Sequence, residues 1–335
     1  MYNFAGIELK GRVLLAPMAG VTNLTYRRFM KPFGVALSYS EMISDCGLCY
    51  GNKQTMEYIK TSPDDRPCAL QLFGSSIEST VKAIGILEKN ADYDILDINL
   101  GCPVYKVTRT GAGSAWLKRP EELREYLTEV VKASSKPVTV KIRLGWDTNS
   151  INVHQIVKII EEAGCKGFAV HARTTQQGYS GAPNWEEIRD LYKETSLPFA
   201  VSGDIYSPED AIKAMEITGA QFVMVARGGM GRPQLISQIN EALNNEPIEE
   251  NPTLEEQINY AEKYATALLD DLGEYRAIPQ LRGILPHFFS GFPGYKKYRL
   301  IITESVKSKD DLIKVLNGFR KNLNIGKEEK HEEES

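Results

Sequence analysis

Cysteine is scarce in this chain, and long apolar runs are missing. Five cysteines in 335 residues are too few for a disulfide framework and fit a reducing cytoplasm. No apolar stretch approaches the ~18 residues that a membrane span needs. Val13–Val21 is too short and is broken by Pro17 and Gly20. No charged leader followed by an apolar segment opens the sequence, so no secretory signal is expected. An excess of one charge is lacking as well: 40 Lys and Arg stand against 44 Asp and Glu. That balance argues against a generally basic nucleic-acid binder but leaves room for a local basic patch. Histidine is rare, with four in all, and no repeat of fixed period is found.

What is present is an ordinary globular composition, 42% hydrophobic and 25% charged, in a chain long enough for a large core. Eight short apolar runs recur, each followed by a polar or Gly-rich turn. They begin at Val13, Ala36, Ala69, Ile95, Val138, Gly167, Phe199 and Phe222. Unalternating apolar runs suit strands buried on both faces, as in parallel sheets. The segments between them include helix-like stretches at Ile77–Lys89, Glu121–Ala133, His154–Ala163, Trp185–Glu194 and Pro208–Thr218. Eight such units in about 240 residues is the size of a (β/α)8 TIM barrel; a doubly wound open sheet is the rival. After Gly231 the pattern changes. An acidic, proline-containing stretch leads into four helical segments, with Thr253–Glu256 as a capping box. The expected organisation is a barrel over residues 1–243, a linker over 244–252, a small all-α helical bundle over 253–323 and a disordered tail over 324–335.

In a barrel of this kind the chemistry lies on the loops after the strands. Here these carry Ala16–Gly20, Ser40-Glu41, Gln71–Gly74, Asn99–Pro103, Lys141–Arg143, His171–Thr174, Ser202–Asp204 and Ala226–Gly229. Such residues scattered between both faces would mean little; gathered on one rim they favour a site. Ser202-Gly203-Asp204 and Arg227-Gly228-Gly229 follow strands seven and eight, the usual phosphate position of this fold. Glycines admit backbone N–H groups to phosphate oxygens, and an arginine pairs with them bidentately. Lys141 closes an apolar strand, where an isolated lysine would simply snorkel to solvent. Gln71 offers amide donors and an acceptor, or merely caps a strand.

Cys102 lies beyond a strand end, between Gly101 and Pro103. A shaped, exposed loop there favours a reactive thiol over a small buried hydrophobe. With an ordinary pKa of roughly 8.5 it is protonated near neutrality and can act as an acid. Cys46-Gly47-Leu48-Cys49 is a CxxC without the second pair that a zinc site wants. Two partly buried thiols are the favoured reading, a redox dithiol the alternative, and no metal site is expected.

Seven ordered motifs together resemble the dihydrouridine synthase family of flavin enzymes. They are Ala16–Thr22, Gln71–Gly74, Asp97–Pro103 with Lys106-Val107, Gly111–Ala115, Pro137–Trp146, His171–Thr174 and Gly203–Ile205. The Lys-Val after Gly-Cys-Pro and the Arg-Leu-Gly-Trp segment look most like the bacterial B-type branch. Ser202, Ala226, Leu100 and Ala172 depart from the usual family residues by small or volume-conserving changes. The resemblance implies reduction of uridine in tRNA, a D-loop uridine above all, to 5,6-dihydrouridine with FMN and NADPH in the cytoplasm. It implies that Cys102 protonates uracil C5 after hydride reaches C6. Pro17, Met18, Ala19, Gln71, Lys141, His171, Ser202, Gly203, Asp204, Ala226 and Arg227 would surround FMN. Lys141 would then stabilise negative charge near flavin N1 and O2. Asn99 and Arg173 would face the substrate base, which must leave its stack to reach a barrel mouth.

The helical segment then acquires a use. Between Tyr275 and Lys321 ten basic residues stand against three acidic ones, interleaved with Tyr275, His287, Phe288, Phe289, Phe292, Tyr295 and Tyr298. Basic and aromatic surface suits an RNA backbone with splayed bases. A bundle with core aromatics and a solvated charged face is the plainer reading. Three alternatives to tRNA reduction stay open: an FMN barrel acting on a free pyrimidine, the same reaction on ribosomal RNA, and an RNA-binding protein with a silent flavin pocket.

Overall fold

A computed structural model describes the backbone of residues 1–333, with side chains through Lys321. The chain opens with a small antiparallel hairpin, β1 (Tyr2–Phe4) and β2 (Ile7–Leu9). Eight parallel strands follow: β3 (Val13–Leu15), β4 (Leu37–Ser44), β5 (Cys68–Phe73), β6 (Ile95–Asn99), β7 (Val138–Arg143), β8 (Gly167–His171), β9 (Phe199–Ser202) and β10 (Phe222–Val225). They close in chain order, with β10 pairing back onto β3. The eight apolar runs are thus the eight staves of a closed barrel, and the open-sheet rival is set aside.

Alternation along each stave decides what fills the interior. The first inward layers are apolar. Leu37, Ala69, Ile95, Ala169, Ala200 and Phe222 share one buried cluster with Phe4 of the hairpin. Phe4 meets Phe222 edge-on at 5.1 Å. It fits because position 167 is glycine, where a Cβ would lie 3.3 Å from the Phe4 ring. The hairpin, whose three-residue strands were too short to read from sequence, therefore closes the N-terminal end of the barrel. Further along the same staves the inward positions turn polar: Gln71, Asp97, Asn99, Thr139, Lys141, His171 and Ser202.

Helices Ile77–Asn90, Pro120–Ala133, Val153–Glu162 and Pro208–Thr218 stand where the sequence placed them. Ser207 caps the last through the Asp210 N–H, and Gly219 ends it at φ 68°. The helix expected over Trp185–Glu194 does not form. Two 3-10 turns, Trp185–Ile188 and Leu191–Lys193, replace it, because Arg189 has ψ 140° and Asp190 is left-handed at φ 64°, and neither can continue a helix.

The described residues fall into two compact units: Met1–Gly228 with Leu235–Pro247, and Gly229–Gln234 with the described residues from Ile248 onward. In the second unit, helix Leu254–Leu272 begins with the expected Thr253–Glu256 capping box. Helices Glu274–Phe288, Tyr295–Ser305 and Lys309–Glu333 follow. The tail expected over 324–335 lies outside the described side chains. Phe288 and Phe289 are fully buried; Phe289 and Tyr298 pack on Phe319 at 5.3 and 4.4 Å. Of the interleaved aromatics, Phe288 and Phe289 are core, His287, Phe292, Tyr295 and Tyr298 are half-buried, and Tyr275 is 93% exposed. Eight of the ten basic residues, among them Lys296, Lys297 and Arg299, are exposed.

Candidate active site

Register brings the candidate residues together at the C-terminal mouth. Gln71 pairs with Asp97 across β5 and β6, Asn99 with Lys141 across β6 and β7, and His171 with both Arg143 and Ser202 across β7, β8 and β9. Within this ring runs a continuous chain of hydrogen bonds. Thr139 Oγ1 and Gln71 Nε2 each donate to Asp97 at 2.6 Å. Asn99 Nδ2 donates to Gln71 Oε1 at 2.7 Å. Asn99 Oδ1 accepts the N–H of Cys102 at 2.9 Å and that of Gly101 at 3.2 Å. Burial pushes the Asp97 carboxyl up to about 6, against the pull of its two donors and of Lys141.

Cys102 is held from both sides. Its carbonyl accepts from Ser114 N at 3.1 Å and Ser114 Oγ at 2.8 Å. This close return of the chain requires glycine at 113: φ there is +60°, and a Cβ would stand 2.9 Å from the Cys102 oxygen. Arg143 Nε ties down the neighbouring Gly101 carbonyl at 2.8 Å. The thiol is only 8% exposed and clusters with Val107 and Ala112, with Met42 and Phe73 packed against them. It is more enclosed than the sequence suggested, because residues 107–114 fold back over it. Burial raises its pKa, and Arg143 and Lys141 only partly offset this. The group is a protonated thiol near neutrality, suited to giving a proton rather than attacking.

Lys141 is half-buried. The surrounding protein and Arg143 bring it down to about 8, with Asp97 opposing. Among the described residues its ammonium makes no hydrogen bond or ion pair. His171 is 8% exposed. Burial, with Lys141, Arg143, Arg173 and Arg227 around it, lowers its pKa well below the usual imidazole value. Arg173 Nη1 donates to its Nε2 at 3.2 Å, so the neutral ring carries its proton on Nδ1.

At the ends of β9 and β10 lies the glycine-lined corner. A Cβ at Gly203 would stand 3.0 Å from the His171 ring, and Ser202 is buried beside it. Asp204 accepts from Arg227 Nη2 at 2.9 Å and from both terminal nitrogens of Arg173. Those bonds hold its carboxyl below the ordinary range. Arg173, expected at the substrate base, is 1% exposed and also donates to the Gly181 carbonyl at 2.6 Å. It reaches the mouth through Asp204 and His171. Arg227 is 42% exposed and lies 4.6 Å over the Tyr179 ring. Ala226 packs on the inner cluster.

Pro17, Met18 and Ala19 form the turn after β3, with Val21 and Thr22 N–H bonded to the Met18 carbonyl at 3.1 and 3.0 Å. Gly20 N donates to the buried Glu41 at 2.5 Å, and burial raises that carboxyl.

Sequence reading passed over Asp97, Arg143, Glu41 and Ser114 as site residues. For Asp97 and Arg143 the signal was a charged side chain at an inward barrel position, which the two-residue period would have exposed; Glu41 sits where the register of β4 shifts, and Ser114 lies on the turn Gly113–Lys118, off the strands. Cys46 and Cys49 are free, on the short helix Asp45–Cys49. No cluster able to hold a metal occurs among the described residues, and none of their helices is long and apolar enough to cross a membrane.

A sequence model of the family described as dihydrouridine synthase (Dus) matches residues 14–324. A probable tRNA-dihydrouridine synthase of Rickettsia conorii is 33% identical over 299 residues, covering 89% of this chain and 90% of that protein. The tRNA-dihydrouridine synthase B of Shewanella oneidensis is 35% identical over 276 residues, 81% of this chain and 84% of that one. Among solved structures, histamine dehydrogenase from Rhizobium sp. 4-9 aligns with a TM-score of 0.54 at 14% identity. The alignment covers 78% of this chain and 50% of that one, and the likeness is one of fold.

Proposed function

Because the chain belongs to the dihydrouridine synthase family, we propose that it reduces uridine in tRNA to 5,6-dihydrouridine at this barrel mouth. One observation carries the reading. A protonated thiol on the β6 loop and an unpartnered ammonium on β7 lie together at the C-terminal end of the barrel, tied through Asn99 and its strand partner Lys141.

The residues present fit FMN. A partly enclosed cation without a protein partner suits the charge near flavin N1 and O2. Gln71 lies on β5, two staves from Lys141, although its amide is already engaged with Asp97 and Asn99. The glycine corner at Gly203, with Ser202 and Arg227, suits a phosphate. His171 stays neutral beside it and presents Nδ1–H as a donor. Pro17, Met18 and Ala19 form the rim on the β3 side. Bound FMN, reduced by NADPH, would supply hydride to uracil C6.

This chain's own residues do the rest. Cys102 Sγ holds the proton destined for C5, and burial among Val107, Ala112, Met42 and Phe73 keeps it there and excludes water. Asn99 turns the Cys102 loop. Arg173 orients Asp204 and His171. The exposed cations of the helical unit bind the RNA backbone, and a target base in a loop, a D-loop uridine above all, leaves its stack at little cost.

The test is to purify the protein, read its flavin by absorbance and incubate it with unmodified tRNA, FMN and NADPH. Uridine residues gaining two hydrogens by mass spectrometry are expected. A protein that retains no flavin, or that reduces free uracil while leaving tRNA unchanged, overturns the proposal.

A further inference from the structure

We propose that Asp97 is a positioning residue that sets the direction of the amide relay ending at the Cys102 backbone. Its consequence for catalysis rests on the proposed role of Cys102; its consequence for the loop does not.

A carboxylate only accepts hydrogen bonds. With Thr139 donating to one oxygen, Gln71 must turn its NH2 toward the other. That turns Gln71 Oε1 to Asn99, so Asn99 must present its NH2 there and its Oδ1 to the loop. The loop offers only donors at that point, the N–H groups of Gly101 and Cys102. Asp97 at one end and the two loop donors at the other therefore fix both amides, and neither can be reversed alone. Reversing either one places donor against donor, and a buried donor without an acceptor is costly.

The carbonyl side of the same loop is held independently, by Arg143 on Gly101 and by Ser114 on Cys102. Removing the direction set at Asp97 should free the N–H side and leave the carbonyl side anchored. A different role for Asp97, as counter-charge to Lys141 or as plain core filling, makes no such distinction.

The test uses the full chain with Asp97→Asn, alone and with Gln71→Glu. With the Thr139 hydroxyl still donating to the oxygen of the new amide, the NH2 arm opposes the Gln71 NH2, and the reversal passes down the relay. Hydrogen exchange of the Gly101 and Cys102 amides should rise about tenfold, the equivalent of one lost hydrogen bond, while strands Ile95–Asn99 and Val138–Arg143 stay protected. Dihydrouridine turnover should fall by about the same factor with KM for tRNA within about twofold, as when a transition-state contact alone is lost.

Adding Gln71→Glu places a carboxylate where it can accept from both the new amide and Asn99, and the slow exchange should return. Wild-type exchange in the single variant, exchange rising equally through the strands, or no recovery in the double variant overturns the proposal. A wild-type protein that makes no dihydrouridine, yet whose variants show this exchange pattern, refutes the catalytic reading and upholds the relay.

Discussion

At the barrel mouth the polar groups are inside. Asp97, Gln71, Asn99 and Thr139 lie within the ring of strands and satisfy one another. In the helical unit the rings of Phe288 and Phe289 are inside and fully buried, while the cations Lys296, Lys297 and Arg299 are outside and exposed. The first arrangement depends on direction, since each bond works only with its donor and acceptor the right way round. The second depends on how many charges are present. A directional site tolerates almost no substitution, whereas a charged surface loses function in small steps.

The largest effect is expected from Cys102→Ala. Removing a general acid costs about 10²–10⁴-fold in rate, read as dihydrouridine formed per enzyme. RNA and flavin affinity should stay within about twofold. A matching loss of RNA affinity would break the contrast between the two regions. Next is Phe289→Ala. Deleting a buried phenyl ring costs about 3–5 kcal/mol, and hydrogen exchange should show that loss in residues 254–321 with the barrel strands unchanged. Third, Lys296→Gln with Lys297→Gln and Arg299→Gln should weaken tRNA binding about tenfold at 0.1 M salt, with a shallower salt slope. Turnover at saturating tRNA should hold. If it collapses, these residues orient RNA as well as attract it.

The contrast also explains what was legible in the sequence. The eight staves could be read because strands buried on both faces are unbroken apolar runs, from Val13–Leu15 to Phe222–Val225. The relay could not. Sequence shows that Asp97, Gln71 and Asn99 exist, but the direction of an amide follows from a partner 26 or 28 positions away. The resemblance alone placed Arg173 at the substrate base, and its salt bridge to Asp204, 31 positions away, is not visible in sequence. Interleaved Phe and Lys in the helical unit read as one surface, because composition does not reveal helical phase. The failed helix at 185–194 turned on two residues, Arg189 with ψ 140° and left-handed Asp190.

Lys141 supplies the smallest and sharpest test of the comparison, since it is a cation of the barrel's directional site whose ammonium makes no hydrogen bond or ion pair among the described residues. Its pKa of about 8 describes the mouth before any anion is bound. An anionic partner favours the charged ammonium, so the pKa in the complex must be higher. Binding between the two values takes up a proton, and affinity therefore falls as pH rises through about 8 and levels above the pKa of the complex. From pH 7 to 9 FMN affinity should drop, by less than about tenfold per pH unit because a single proton is involved. With Lys141→Met the profile should be uniformly weak and flat across that range, measured by quenching of flavin fluorescence. Salt separates the regions further. At 0.5 M, exposed cations of the helical unit are screened and tRNA retention should fall steeply, while the enclosed ammonium of Lys141 is screened much less. Equal salt sensitivity of flavin and RNA binding would mean that Lys141 meets its ligand in open solvent, and the distinction between the two regions would fail at that residue.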